Sequence, residues 1–149
     1  AFLVVGGGLS PRIPRYRVLP HTADIGIAAS GATVAEAFEN AAFGMFDLMF
    51  DLSRVGEEEQ CRVEAEGEAP AELLVAWLAA LLTEAEIRGL AFSRFKVEMI
   101  GDGRLRGTAS GAASGPLELR GPPVKAVTYH EAAVEAVPGG WEARVILDV

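Results

Sequence analysis

At Gly89 the apolar pattern of this chain changes period, and that change limits what the chain can fold into. Ahead of it, Leu73, Leu74, Trp77, Leu78, Leu81, Leu82 and Ala85 recur three and four residues apart, the spacing of one helix face. Pro70 sits where a first helical turn tolerates proline, and Gly89 stands where such a helix stops. Beyond Gly89 the chain turns to strands. Phe92 to Ile100 and Arg104 to Ala112 flank Gly101-Asp102-Gly103, a hairpin signal. Val124 to Val137 and Trp141 to Val149 flank Pro138-Gly139-Gly140 in the same way.

The first half adds one more helix and three strands. Tyr16 to Pro20 reads as a short extended segment closed by its proline, and Asp24 to Ala29 as a second strand. Thr33 and Glu36 have the spacing of a capping box, with Glu36 reaching back to the chain before the helix. Behind them Val34, Ala37, Phe38, Ala41, Met45, Leu48 and Met49 predict an amphipathic helix over 34–50. Cys61, Val63 and Ala65 alternate with Gln60, Arg62, Glu64 and Glu66, a half-buried strand. Strands, helix, strand, helix, then antiparallel strands is an α+β order, two helices packed on a mostly antiparallel sheet. The chain has 149 residues, half of them hydrophobic, which suits one domain with a real core. No repeat or linker divides it. The domain is expected over 16–149, with residues 1–15 a poorly ordered leader, since AFLVVGGGLS lacks the basic start of a signal peptide.

Charge and cysteine content narrow the partners. Twenty-one acidic residues against thirteen basic ones give a net charge of −8. A chain so acidic is not expected to bind nucleic acid directly, because phosphate backbones are held by basic patches. A protein, a metal ion or a small molecule fits better. The single cysteine, Cys61, excludes a disulfide framework and suits a reducing cytoplasm. No apolar run approaches the ~20 residues of a membrane span. Several features carry no chemistry. Gly6-Gly7-Gly8 lacks the lysine and helix start of a phosphate loop. Ser110 and Ser114 have no histidine at a useful spacing, and Glu57-Glu58-Glu59 reads as a solvated run.

Two places at opposite ends of the chain stand out. His21 and Asp24 precede a short, glycine-broken apolar strand, where a local turn would also account for them. Asp148 ends the apolar run Val145-Ile146-Leu147 and is followed by Val149, so two carboxylates fall one residue apart. Their repulsion asks for a cation, basic partners or solvent, and a frayed, solvated end would also answer it. With Pro138-Gly139-Gly140 as a three-residue loop, Asp148 is expected opposite His130; with a two-residue loop, opposite Glu131.

HTADIGI, the helix AEAFENAAFGMFDLM, the LLVAWLAALL helix and VKAVTYHEAAVEAVPGGWEARVILDV together resemble the archease family, from about Tyr16 to Val149. The resemblance implies a small α+β protein cofactor with no catalysis of its own. Archeases assist the RtcB-type RNA ligase of tRNA splicing, promoting its guanylylation and multiple turnover and broadening its nucleotide use. It also implies a metal site made by Asp24, Asp148 and Val149. Carboxylates with main-chain or terminal oxygens are a hard oxygen set, suited to Ca²⁺ foremost, with Mg²⁺ or Mn²⁺ as alternatives, and poor for Zn²⁺. His21, Lys125 and His130 lie in the same motifs without an assigned role. Competing expectations are a metal-dependent phosphoester hydrolase and a chaperone-like binding module.

Overall fold

The computed structural model describes residues 3–5, 14–19 and 24–149. Eight strands and two long helices follow in the order β1 (Leu3–Val5), β2 (Tyr16–Leu19), β3 (Ile25–Gly31), α1 (Val34–Met49), a single 3₁₀ turn (Leu52–Arg54), β4 (Glu59–Glu66), α2 (Pro70–Arg88), β5 (Leu90–Gly101), β6 (Arg104–Ala113), β7 (Ala126–Val137) and β8 (Gly140–Asp148). The strands build two sheets, β1-β2-β3-β8-β7 and β4-β6-β5, with antiparallel pairing throughout. The expected architecture is therefore present, with its strands divided between two sheets. Of the stretch expected as a leader, Leu3–Val5 pairs with β2, while residues 1–2 and 6–13 lie outside the described residues.

The helices lie between the sheets, and each touches both. α1 packs on β3 and β8 on one side and on β5 on the other, while α2 packs on β7 and β4. This explains why α2 buries Leu73, Leu74, Val75, Trp77, Leu78, Leu81 and Leu82 around much of its circumference. Trp77 links the middle layer, its indole N–H donating to the Phe38 carbonyl at 3.1 Å. The inward face of β6 makes room for it. A Cβ on Gly107 would stand 2.8 Å from the Trp77 ring and 2.7 Å from the Lys96 carbonyl.

Local chemistry sets the helix ends. The Thr33 hydroxyl accepts from Glu36 N–H at 3.1 Å, and the Glu36 carboxylate accepts from Ala32 N–H at 3.1 Å, one residue earlier than an ideal capping box. Gly89 takes a left-handed conformation (φ 64°) after α2. In the β5–β6 hairpin, Asp102 and Gly103 both have positive φ, the type I′ geometry that matches strand twist.

α1 also anchors both chain segments leading into the candidate site. The Tyr16 hydroxyl donates to Asp47 Oδ2 at 2.9 Å, and Arg120 Nη1 approaches Asp47 Oδ1 at 3.3 Å. Asp47 is the buried charged residue of the described chain, 6% exposed. Gly44 lets the Tyr16 ring lie against the helix, since a Cβ there would stand 2.7 Å from it. The loop before β7 is tied to the end of α1 by Arg120 N–H to the Met49 carbonyl at 2.6 Å. β2 and this loop are thus fixed to one helix.

Candidate metal site at the end of the five-stranded sheet

β3 and β8 are neighbours, although they come from opposite ends of the chain. Their antiparallel register runs from Gly31↔Trp141 to Ile25↔Leu147. Asp24 and Asp148 are the residues one step beyond that last pair, so the two strands bring them to the same end of the sheet. Leu147 is fully buried in the core, and β alternation turns Asp148 to the outer face, where it is exposed. Asp24, in the bend before β3, is partly exposed. Directly opposed residues in such a ladder have Cα atoms about 4.5–5.5 Å apart, so two carboxylates at that spacing repel each other unless a cation or donors intervene.

The third segment at this sheet end is the start of β7. Ala126 pairs with Asp148, and Lys125 N–H donates to the Asp148 carbonyl at 2.7 Å. Both sequence-based partners for Asp148, His130 and Glu131, are thereby replaced. The β7–β8 turn has two residues, Pro138-Gly139, with Val137 opposite Gly140. Carried straight, that register would set Tyr129 against Asp148. It shifts instead between Thr128↔Ile146 and Ala133↔Arg144, where β7 bulges and Glu131 takes φ 59°. Three extra residues leave the ladder, and Tyr129 (64% exposed) and His130 stand out from the sheet edge. His130 is thus carried away from the rung, its Nε2 3.8 Å from Glu131 Oε1. Lys125, which no uninterrupted register places there, arrives by its backbone.

Val149 is half-buried and packs against the core. His21 lies outside the described residues. Among the described residues no three His, Cys, Asp or Glu side chains gather in metal-holding geometry. The donors that the resemblance implied, two carboxylates and main-chain oxygen at Val149, are of the oxygen type that suits a hard cation completing its shell with water or a partner's groups. On the same outer face, Gly26 and Ile146, two residues along each strand, line a cleft of about 480 Å³ with Leu19 and the β7 bulge. Thr128 Oγ1, opposite Ile146, is enclosed and has no hydrogen-bond partner among the described residues.

Cys61 is buried, and burial raises its thiol pKa above the usual cysteine range, so it is a poor nucleophile.

Comparison with known proteins agrees with the geometry. The model of the archease protein family matches residues 16–149. The chain belongs to the archease family. The archease of Methanosarcina mazei is 38% identical over 143 residues, covering 91% of this chain and 96% of that one. The archease of Pyrococcus furiosus is 40% identical over 135 residues, covering 87% and 94%. The solution structure of Methanobacterium thermoautotrophicum protein 1598 superposes with a TM-score of 0.80 at 39% identity, covering 91% of this chain and 99% of that one. The Thermotoga maritima archease, described as a possible chaperone, shares the fold with a TM-score of 0.61 at 21% identity, over 95% and 100% of the chains. In this archease, Asp24, Asp148, Val149 and the start of β7 at Lys125 lie toward one end of the five-stranded sheet.

Proposed function

We propose that this archease is a non-catalytic protein cofactor of an RtcB-type tRNA-splicing RNA ligase in the cytoplasm. It would promote guanylylation of the ligase and its repeated turnover. The observation that carries the reading is that Asp24 and Asp148 each lie one step beyond the last β3–β8 pair, at one sheet end. A fold that sets the exposed Asp148 and the partly exposed Asp24 at one sheet end can offer a cation to something outside itself. Asp24, Asp148 and main-chain oxygen at Val149 would hold the ion, Ca²⁺ or, as alternatives, Mg²⁺ or Mn²⁺. Bound there, it would neutralise the carboxylates and leave coordination positions for a partner's oxygen atoms.

A hydrolase would need more. Water activation at a metal calls for a general base and a substrate pocket around the ion, and His130, the histidine of the β7 motif, stands on the bulge. The Thermotoga relative's description as a possible chaperone keeps a binding-module reading in view. Such a module needs a contiguous apolar surface. The large exposed hydrophobics among the described residues are Ile87, Met99, Leu119 and Tyr129, on four separate segments.

The deciding experiment is RNA ligation with substrate in large excess over a cognate RtcB-type ligase. With this protein added, product should continue past one equivalent of ligase; without it, reaction should stall near the first turnover. Equal progress in both arms would rule the cofactor reading out.

A further inference from the structure

The chain is acidic in sum, yet its cations are not spread evenly. Five of the thirteen lysines and arginines fall on the outer face of the three-stranded sheet. The inward positions of that sheet are apolar or glycine: Cys61, Val63 and Ala65 on β4, and Leu105, Gly107 and Ala109 on β6. Alternation then sends Arg62, Arg104, Arg106, Arg94 and Lys96 outward. The register aligns them in rows across β4, β6 and β5: Gln60–Ser110–Arg94, Arg62–Thr108–Lys96, then Glu64–Arg106–Met99.

The pairing state of these cations differs from that on the other sheet. There, Arg17 meets Glu142 at 2.8 Å and Arg144 meets Glu135 at 2.8 Å. Here, Arg94 approaches Glu57 only to 3.5 Å and Arg104 approaches Glu66 to 3.8 Å. Arg62, Lys96 and Arg106 are exposed and have no ion pair among the described residues. Arg62 and Lys96 share a row with Thr108 and no acid, and Arg106 stands across from Glu64 without an ion pair among the described residues, which leaves an attraction for an anion.

The chemistry of the face selects the anion. Stable protein interfaces centre on buried aromatic and apolar anchors, and this face offers none beyond Met99, which is 39% exposed. It offers Arg, Lys, Ser, Thr and Gln side chains, the set that contacts phosphate and sugar in nucleic-acid backbones. Three strands span about 10 Å, room for one phosphate chain. Glu64, Glu66 and Glu98 at one end and Glu57 at the other limit the seat to a few phosphates.

We propose that the outer face of the β4-β6-β5 sheet is a seat for the phosphate backbone of a single-stranded nucleic acid, anchored by Arg62, Lys96 and Arg106. The net charge of −8 argues against such binding only if charge is evenly distributed, and this fold segregates it. The proposal stands whether or not the chain activates a ligase.

The test is fluorescence anisotropy of a short, labelled single-stranded oligoribonucleotide titrated with the full chain at low salt. Binding is expected with Kd of order 10⁻⁵–10⁻⁴ M, and with log K falling against log salt with a slope near −2, as about three phosphate contacts require. Arg62→Gln, Lys96→Gln and Arg106→Gln combined should weaken binding at least tenfold, and Lys96→Gln alone a few-fold. Arg54→Gln, on the 3₁₀ turn, should leave it unchanged, as should unlabelled polyglutamate as competitor. No binding at low salt, or undiminished binding by the triple variant, overturns the proposal. Displacement by polyglutamate as efficient as by unlabelled RNA also overturns it, since the face would then take an acidic protein.

Discussion

Asp24 and Asp148 illustrate how much one end of a sheet can concentrate. Each lies at a strand end where a lone carboxylate would be unremarkable, and the β3–β8 register brings the two strand ends together. Asp24→Ala and Asp148→Ala are each expected to abolish stimulation of ligation while the fold survives, because neither residue is part of the core. Without metal, removal of the repulsion should leave the melting temperature unchanged or slightly higher. Ligation and thermal unfolding measured on the same samples decide it, and a folded variant that still stimulates would end the metal-site model. Tyr16 belongs to the core. Burial first, then the Asp47 carboxylate and its hydrogen bond, pushes the phenol pKa above its ordinary value of about 10. A folded-state pKa raised in this way contributes stability that is complete below pH ~10 and is lost as pH rises toward the folded value. Tyr16→Phe should lower stability by about 1–3 kcal/mol near neutrality, because Asp47 loses a buried donor. It should also flatten the decline above pH 10, which denaturant unfolding across pH 8–11 would register.

At the scale of elements, small residues decide which surfaces meet. Gly107 and Ala109 give β6 an inward face low enough for Trp77 to enter, and Gly44 opens α1 to the Tyr16 ring. Gly107→Ala is expected to cost about 1–3 kcal/mol, since the new Cβ meets the Lys96 carbonyl and the indole ring and neither is the far end of a flexible chain. A midpoint shift in urea with unchanged slope would show it; an unaltered midpoint would mean the sheet and α2 separate at little cost. Much at this scale was legible from residue spacing alone. The helices at 34–50 and from Pro70 to Gly89 are observed at Val34–Met49 and Pro70–Arg88. Helical period, caps and turn glycines are local properties, read within a few residues. The β7 bulge was not legible, because nothing in Thr128-Tyr129-His130-Glu131 forbids continuous pairing. It shows only where β7 pairs with β8, a partner set by the tertiary structure.

For the whole molecule, the middle position of the helices matters most. Because α1 and α2 each pack on both sheets, neither sheet can lose its partner without exposing the common core. Unfolding should therefore be a single cooperative transition, with far-ultraviolet circular dichroism and the fluorescence of Trp77 and Trp141 giving the same midpoint. Separated midpoints would show that the five- and three-stranded sheets melt independently. The same layering leaves each sheet one free face, and the two faces differ in kind. The five-stranded sheet ends in the two carboxylates and holds its arginines in ion pairs. On the three-stranded sheet, Arg62, Lys96 and Arg106 have no ion pair among the described residues. A net charge cannot express that division.

The sequence by itself determined the α+β class, the helices, the hairpins, and Asp24 and Asp148 as residues that needed explaining. Each rests on short-range chemistry: periodicity, capping, turn conformation, or a charge out of place in an apolar run. Only the tertiary structure decided which strands lie side by side. It brought Asp24 to the sheet end that holds Asp148, set Ala126 and the Lys125 N–H where His130 or Glu131 was expected, and gathered scattered basic residues on one face. The physical reason is that alternation states which side of its own strand a residue occupies. The neighbour across the ladder is chosen by packing of the shared core, which joins segments far apart along the chain.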